Sequence, residues 1–161
     1  MLPFFAIGCF AGLRPEEIKR LKWQDIDLVK REIYVPPEVS KIGMDRNVPM
    51  SENLVQWLEL IPEPARRGEI YWRRAQFETV RRRAKLLSRW THDVMRHSAA
   101  SHLFAKTQNY EATLASMGHG LQIFLRHYKR AVSQKQGEEY FDIRPGNARG
   151  GVLELPQAAS A

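Results

Sequence analysis

The chain is almost without cysteine. Cys9 stands alone among 161 residues, which excludes a disulfide framework and any cysteine-built metal site and fits a reducing compartment. A long apolar run is also missing. The stretch 2–13 is apolar but falls well short of the roughly 20 residues a helical membrane span takes, so no membrane partner is expected. That stretch has no basic start, and Arg14-Pro15-Glu16-Glu17 behind it is not a signal cleavage site. The expectation is a buried helix of a cytoplasmic, nucleoid-associated protein. There is no internal repeat. Acidic residues are the scarcer charge, 18 against 25 Lys+Arg, for a net charge of +7. The excess is local: residues 66–106 hold eleven Lys/Arg and three Asp/Glu. Such a segment suits a polyanion, although a solvated arginine-rich helix face explains the charge alone equally well. With 43% hydrophobic residues, a chain of this length buries one real core.

The pattern along the chain is mostly helical. Residues 3–11 read as a buried helix, with Gly12 as its stop. Pro15 opens a second helix, 16–21, with acids in its first turn. Residues 23–27 read as a turn, 32–35 as a strand closed by Pro36-Pro37, and 40–50 as a hairpin with Gly43 near its tip. Ser51 is the expected N-cap of a helix over 52–60. Pro62-Glu63-Pro64 marks a linker. Residues 72–88 read as a helix with an apolar face of Phe77, Val80, Ala84 and Leu87 and a basic face of Arg74, Arg81, Arg82 and Lys85. Further helices are expected over 93–105, 110–117, 122–132 and 133–141. From Arg144 onward the Gly/Ala-rich end reads as a flexible tail. The fold class is therefore mainly α with a small antiparallel β-sheet (α+β), in one domain over 1–143 with a tail over 144–161.

One combination of residues points to chemistry. Gly118-His119 is followed by Tyr128 in Leu125-Arg126-His127-Tyr128-Lys129. Arg14 sits in Ala11-Gly12-Leu13-Arg14, and Arg96 in Arg96-His97-Ser98. A tyrosine oxygen attacks a phosphodiester if the charge developing on the phosphate is stabilised and the leaving alkoxide is protonated. Two guanidinium forks match two phosphate oxygens, and a lysine or histidine supplies the proton. Taken singly, each residue has a plainer explanation. Arg14 can pair with Glu17, Lys41 can be an ordinary hairpin lysine, His119 a helix cap and Tyr128 a core aromatic. Trp72 and Trp90 read as core anchors rather than base-stacking platforms. His92, His97 and His102 are five apart, which spreads them around a helix and argues against a shared metal; no cofactor is expected.

Four segments in order carry a family resemblance. They are Gly12-Leu13-Arg14 leading to Leu21-Lys22-Trp23-Gln24-Asp25-Ile26; Lys41-Ile42-Gly43-Met44-Asp45-Arg46-Asn47-Val48-Pro49; Arg96-His97-Ser98-Ala99-Ala100-Ser101-His102-Leu103; and Met117-Gly118-His119 with Tyr128. This set resembles the catalytic domain of the tyrosine recombinases, the phage-integrase family. The resemblance implies that fold and a site in which Arg14 and Arg96 clamp the scissile phosphate. Lys41 protonates the departing 5′ oxygen, His119 hydrogen-bonds the phosphate or assists proton transfer, and Tyr128 forms a transient 3′-phosphotyrosyl link. It implies double-stranded DNA as partner, a tetramer assembled on it, no metal or ATP, and site-specific recombination or integration as the outcome.

The chain departs from the family pattern in one place. Where His-x-x-Arg is usual, Asp93 stands three before Arg96 and His92 four before. Both offsets lie on one helix face, so either His92 or Asp93 fills the position, with His92 the favoured candidate. The family usually carries an N-terminal helical domain before the first arginine segment, and the expectation here is either a fragment that leaves it out or a truncated remnant without it. The alternatives are a catalytically inactive DNA-binding remnant, a type IB topoisomerase-like relaxing enzyme and an unrelated helix-turn-helix regulator.

Overall fold

The computed structural model describes residues 1–117 and 132–146. The expected helix over 122–132, apart from Val132, and the Gly118-His119 and Tyr128 positions lie outside the described residues.

The chain opens on α1 (Leu2–Ala6), which widens into a π-helical turn over Ile7–Ala11 and stops at Gly12. The stop has two causes. Gly12 takes a left-handed φ of 65°, which a residue with a Cβ adopts only at a cost. A Cβ there would also sit 2.5 Å from the Met117 sulfur and 3.1 Å from the Ala99 Cβ. Gly12→Ala is therefore expected to destabilise the fold by about 2–5 kcal/mol, the sum of the αL cost and overpacking; chemical denaturation checks this, and a loss under ~1 kcal/mol would contradict it. Pro15 then opens α2 (Pro15–Arg20), whose first turn carries Glu16 and Glu17 and whose last carries Lys19 and Arg20, in the order the helix dipole favours.

The sheet is antiparallel in the order β1 (Ile26–Asp27), β2 (Glu32–Val35), β3 (Arg46–Pro49). Ile33 pairs with Ile26 and Val48, and Val35 with Arg46. Alternation buries Ile33, Val35 and Val48 and leaves Tyr34 exposed. Two expectations need correction here. The segment read as a turn contains a 3₁₀ turn, Trp23–Asp25, and then the short β1. The hairpin placed over 40–50 has only its return strand: β3 pairs with β2, and 36–45 forms turns between them. Pro36-Pro37 explains the difference, because proline cannot donate to a ladder. The Pro36 carbonyl instead accepts from Val39 N at 3.0 Å and Ser40 N at 2.9 Å.

Next come α3 (Glu52–Glu59), α4 (Arg74–Arg83), α5 (Val94–Thr107), α6 (Tyr110–Met117) and α7 (Gln134–Phe141). Ser51 holds the N-cap position of α3, but its hydroxyl caps nothing and is buried without a partner. Ser133 does cap α7, accepting from Gln136 N at 3.3 Å. The helix expected over 72–88 is shorter than its pattern. It closes after Arg83, where Lys85 turns left-handed at φ 56° and the Arg81 carbonyl accepts from Leu86 N at 2.9 Å. Its expected apolar face is also not buried: Val80 and Leu87 are exposed. Phe77 is the member that packs, stacked on Phe5 at 5.5 Å and edge-on to Trp90 at 5.4 Å. Trp72 and Trp90 both pack half-buried against the core, as expected.

The core runs through Phe4, Ile7, Leu13, Ile18, Ile33, Leu54 and Leu58, all essentially inaccessible. The second layer is α5, whose Ala99 and Ala100 are fully buried, set against the π-helical turn and α7. Gly137 makes the α5–α7 approach possible, since a Cβ there would lie 2.7 Å from the Lys106 backbone nitrogen. Tyr140 of α7 stacks on His102 at 4.0 Å and donates to the Cys9 carbonyl at 2.7 Å. Among the described residues no helix is long and apolar enough to cross a membrane.

Candidate active site around Glu17 and Arg96

Glu17 is the centre of the polar interior. Lying in the first turn of α2, it is fully buried, and a buried carboxylate is tolerated only where donors surround it. It has several. Arg14 donates from its backbone N to Oε2 at 3.0 Å and from Nη1 to Oε1 at 3.2 Å. Arg46 of β3 donates from Nη2 to Oε2 at 2.8 Å and from Nη1 to Oε1 at 3.4 Å. The backbone N of Lys41 donates to Oε1 at 3.3 Å. Burial alone pushes the Glu17 carboxyl up. The Arg46 hydrogen bond, the Arg14 backbone N–H, the Arg46 charge and the Lys41 backbone N–H outweigh it and hold the carboxyl at about 2.

The sign of the linkage follows. A carboxyl with a folded pKa below its unfolded value of about 4.3 binds fewer protons in the native state. Its contribution is complete above the unfolded value and is lost as pH falls toward about 2. The acid limb of the stability profile should flatten between about pH 4.5 and 2 in Glu17→Gln, measured by denaturation across that range against the parent chain. An unchanged limb would show that Glu17 does not carry this linkage.

Arg96 is the second centre. It sits in the first turns of α5 with only 1% of its surface exposed. Nη1 donates to the Gly12 carbonyl at 2.8 Å, and Nη2 donates to the Met117 carbonyl. One guanidinium therefore ties the residue two before Arg14 to the residue just before Gly118. Arg14, the Lys41 segment and Arg96 are thus brought together across a helix stop, a loop and a second helix.

The other expected site residues are placed as follows. The Arg14 guanidinium is half-buried and makes no other hydrogen bond among the described residues. Lys41 is exposed in the turn before β3, with no ion pair of its ammonium among the described residues. His92 is 94% exposed, with Nδ1 3.4 Å from Asp93 Oδ2. Asp93 stands at the N-cap of α5 in a left-handed conformation, and its side chain caps nothing. His97 is exposed. His102 is buried, with Nδ1 2.7 Å from the Ser98 carbonyl, and burial lowers its pKa. His119 and Tyr128 lie outside the described residues. The sequence shows Arg46 only as a member of the Lys41–Pro49 segment, with no role of its own, and Glu17 only as a local partner for Arg14. The available signal was the inward offset of Glu17, three residues after Arg14 on a helix. An acid buried next to one arginine gathers further donors.

The family model for the phage integrase family matches residues 4–70. That segment contains Arg14, Glu17, Lys41 and Arg46; Arg96, His119 and Tyr128 follow it. Solved integrase structures extend the likeness in fold. The Tn1549 transposon integrase in complex with a circular intermediate DNA superposes with TM-score 0.60 and 18% identity, over 85% of this chain and 56% of that one. The integrase from mycobacterium phage Brujita gives TM-score 0.58 and 20% identity, over 91% and 52%. The Tn1549 integrase with transposon right end DNA gives 0.59 and 20%, over 81% and 54%. At these identities the likeness is one of fold: about half helical, with a small three-stranded antiparallel sheet, as expected. The chain spans a little over half the length of those integrase chains. No curated protein matches it in sequence.

Proposed function

We propose that this chain is the catalytic domain of a tyrosine recombinase, breaking and rejoining double-stranded DNA in site-specific recombination or integration. The observation that carries this reading is the convergence on one carboxylate. Arg14, Arg46 and the Lys41 backbone all donate to Glu17, while Arg96 bonds the carbonyl two residues before Arg14. The arrangement holds an arginine fork and a lysine-bearing loop beside one another at fixed geometry, as electrostatic stabilisation of a phosphoryl transition state requires.

In this reading Arg14 and Arg96 bind the non-bridging oxygens of the scissile phosphate, Arg96 by exchanging its contacts to the Gly12 and Met117 carbonyls for it. The Tyr128 oxygen attacks phosphorus and the bond to the 5′ oxygen breaks. The ammonium of Lys41 gives its proton to that oxygen, which leaves as a 5′ hydroxyl. His119 hydrogen-bonds the phosphate or assists transfer of the phenol proton, and His92 or Asp93 supplements the phosphate contacts. The product is a 3′-phosphotyrosyl ester, and a partner strand's 5′ hydroxyl reverses the step. One phosphodiester is exchanged for another of similar energy, so neither ATP nor a metal is needed to balance the reaction. Four copies assembled on DNA would complete the exchange.

The test uses nicked duplexes randomised around the nick, from which the short cleaved fragment diffuses away and prevents religation. The full chain should trap a denaturant-resistant protein–DNA adduct, and Tyr128→Phe should trap none. Binding without adduct in the parent chain would leave only the DNA-binding part of the proposal.

The basic helix α4 supplies the backbone contacts in this account. Arg74 and Arg82 are exposed and free of ion pairs among the described residues. The double variant Arg74→Ala/Arg82→Ala should reduce the slope of log K against log salt by about 2, since each phosphate contact contributes about 0.9. An unchanged slope in a titration from low to moderate salt would remove α4 from the interface.

A further inference from the structure

We propose that Arg20 is a positioning residue for Lys41, acting through the loop that carries it. Arg20 lies three residues after Glu17 on α2, so both side chains leave the same short helix toward the same loop. Its guanidinium donates from Nη1 to the Glu38 carbonyl at 3.0 Å and from Nη2 to the Val39 carbonyl at 2.8 Å, while Nε bonds the Glu16 carbonyl of its own helix at 3.2 Å. Glu17 accepts from the Lys41 backbone N–H at 3.3 Å. The stretch 38–41 is therefore held to α2 by two donors to carbonyls and one acceptor to an amide.

Beyond this anchor the loop is open to solvent. Ile42 and Met44 are exposed, and a Cβ at Gly43 would meet nothing within 4 Å. The backbone of Lys41 is thus located by α2, the helix that opens with Arg14 at its N-cap. Arginine suits the task because its planar fork engages two successive carbonyls at once, which a lysine ammonium on a flexible stem does not reproduce.

This inference rests on the proposed role of Lys41 as the proton donor to the 5′ oxygen, and the test separates the two. Nicked duplexes recovered from the trapped pool are made with oxygen or with sulfur at the 5′ bridging position. A thiolate leaves without a proton, so the sulfur substrate does not need the acid. Lys41→Ala should slow cleavage of the oxygen substrate by about 10²-fold or more, the usual contribution of a general acid, and leave the sulfur substrate close to the parent rate. Arg20→Ala should show the same selectivity at smaller size, about tenfold on oxygen, with Arg20→Lys restoring part of it. Equal slowing of both substrates by Arg20→Ala would overturn the positioning role.

Amide exchange gives a readout that does not depend on cleavage. Arg20→Ala should speed exchange at Val39, Ser40 and Lys41 by roughly five- to tenfold, the scale of one lost hydrogen bond, and leave α5 unchanged. Unchanged exchange at these amides would sink the claim for Arg20. Absence of cleavage by the parent chain would sink the proposed function and leave the loop anchor to the exchange measurement.

Discussion

Glu17→Gln should cost the fold about 3 kcal/mol, the lower part of the range for removing one partner of a buried ion pair, and abolish measurable DNA cleavage. The amide is nearly isosteric, so packing is preserved and charge is what changes. Two guanidinium groups, Arg14 and Arg46, lose their shared counter-ion. The amide must also turn a donor toward groups that are themselves donors, because everything now bonded to Glu17 gives a hydrogen. The two arginines and the Lys41 loop are then no longer referred to one point. Denaturation gives the first effect and adduct trapping the second. A variant as stable and as active as the parent would show that the carboxylate does not organise the site.

Arg96→Met should be equally severe, by a different route. The substitution keeps an unbranched apolar stem in a site with 1% exposure. It leaves the carbonyls of Gly12 and Met117 without the donors they have now. Each orphaned buried acceptor costs about 1–3 kcal/mol, so a loss of about 2–6 kcal/mol is expected. Arg96→Lys should recover part of the stability, since an ammonium can reach one carbonyl. It should remain about 10²–10³-fold slower in cleavage, the usual effect of losing a donor to a developing oxyanion, because the fork that matches two phosphate oxygens is gone. Cleavage by Arg96→Lys at the parent rate would show that the guanidinium serves the fold alone.

Much of this architecture can be read from the chain. Gly12 as a helix stop, Pro15 as a helix start and the alternation at Ile33 and Val35 all rest on local backbone preferences. Local rules failed where a distant partner decides. Nothing near Arg46 in sequence announces that it will reach Glu17, 29 residues earlier. Gly43 near a tip suggests a hairpin over 40–50, yet only its return strand forms, because that strand pairs with β2, which Pro36-Pro37 ends. Val80 on α4 and Leu87 beyond its end satisfy helical spacing yet stay exposed. Val80, with Leu86, lines an apolar cavity of about 530 Å³ with Phe5, Phe10 and Trp90 instead of filling a core. Arg14, Lys41 and Arg96 stand out as candidates by their segments, while the Glu17 carboxylate shared by Arg14, Arg46 and the Lys41 backbone is visible only in three dimensions. His119 and Tyr128 lie outside the described residues and rest on sequence resemblance.

The most direct test of the account is to locate the bond it requires. The adduct trapped on nicked DNA by the full chain is digested with nuclease and protease, and the modified peptide is identified by mass. The account predicts a nucleotide joined through its 3′ phosphate to the phenolic oxygen of Tyr128. Attachment at another residue, attachment through a 5′ phosphate, or no adduct while binding persists would contradict it.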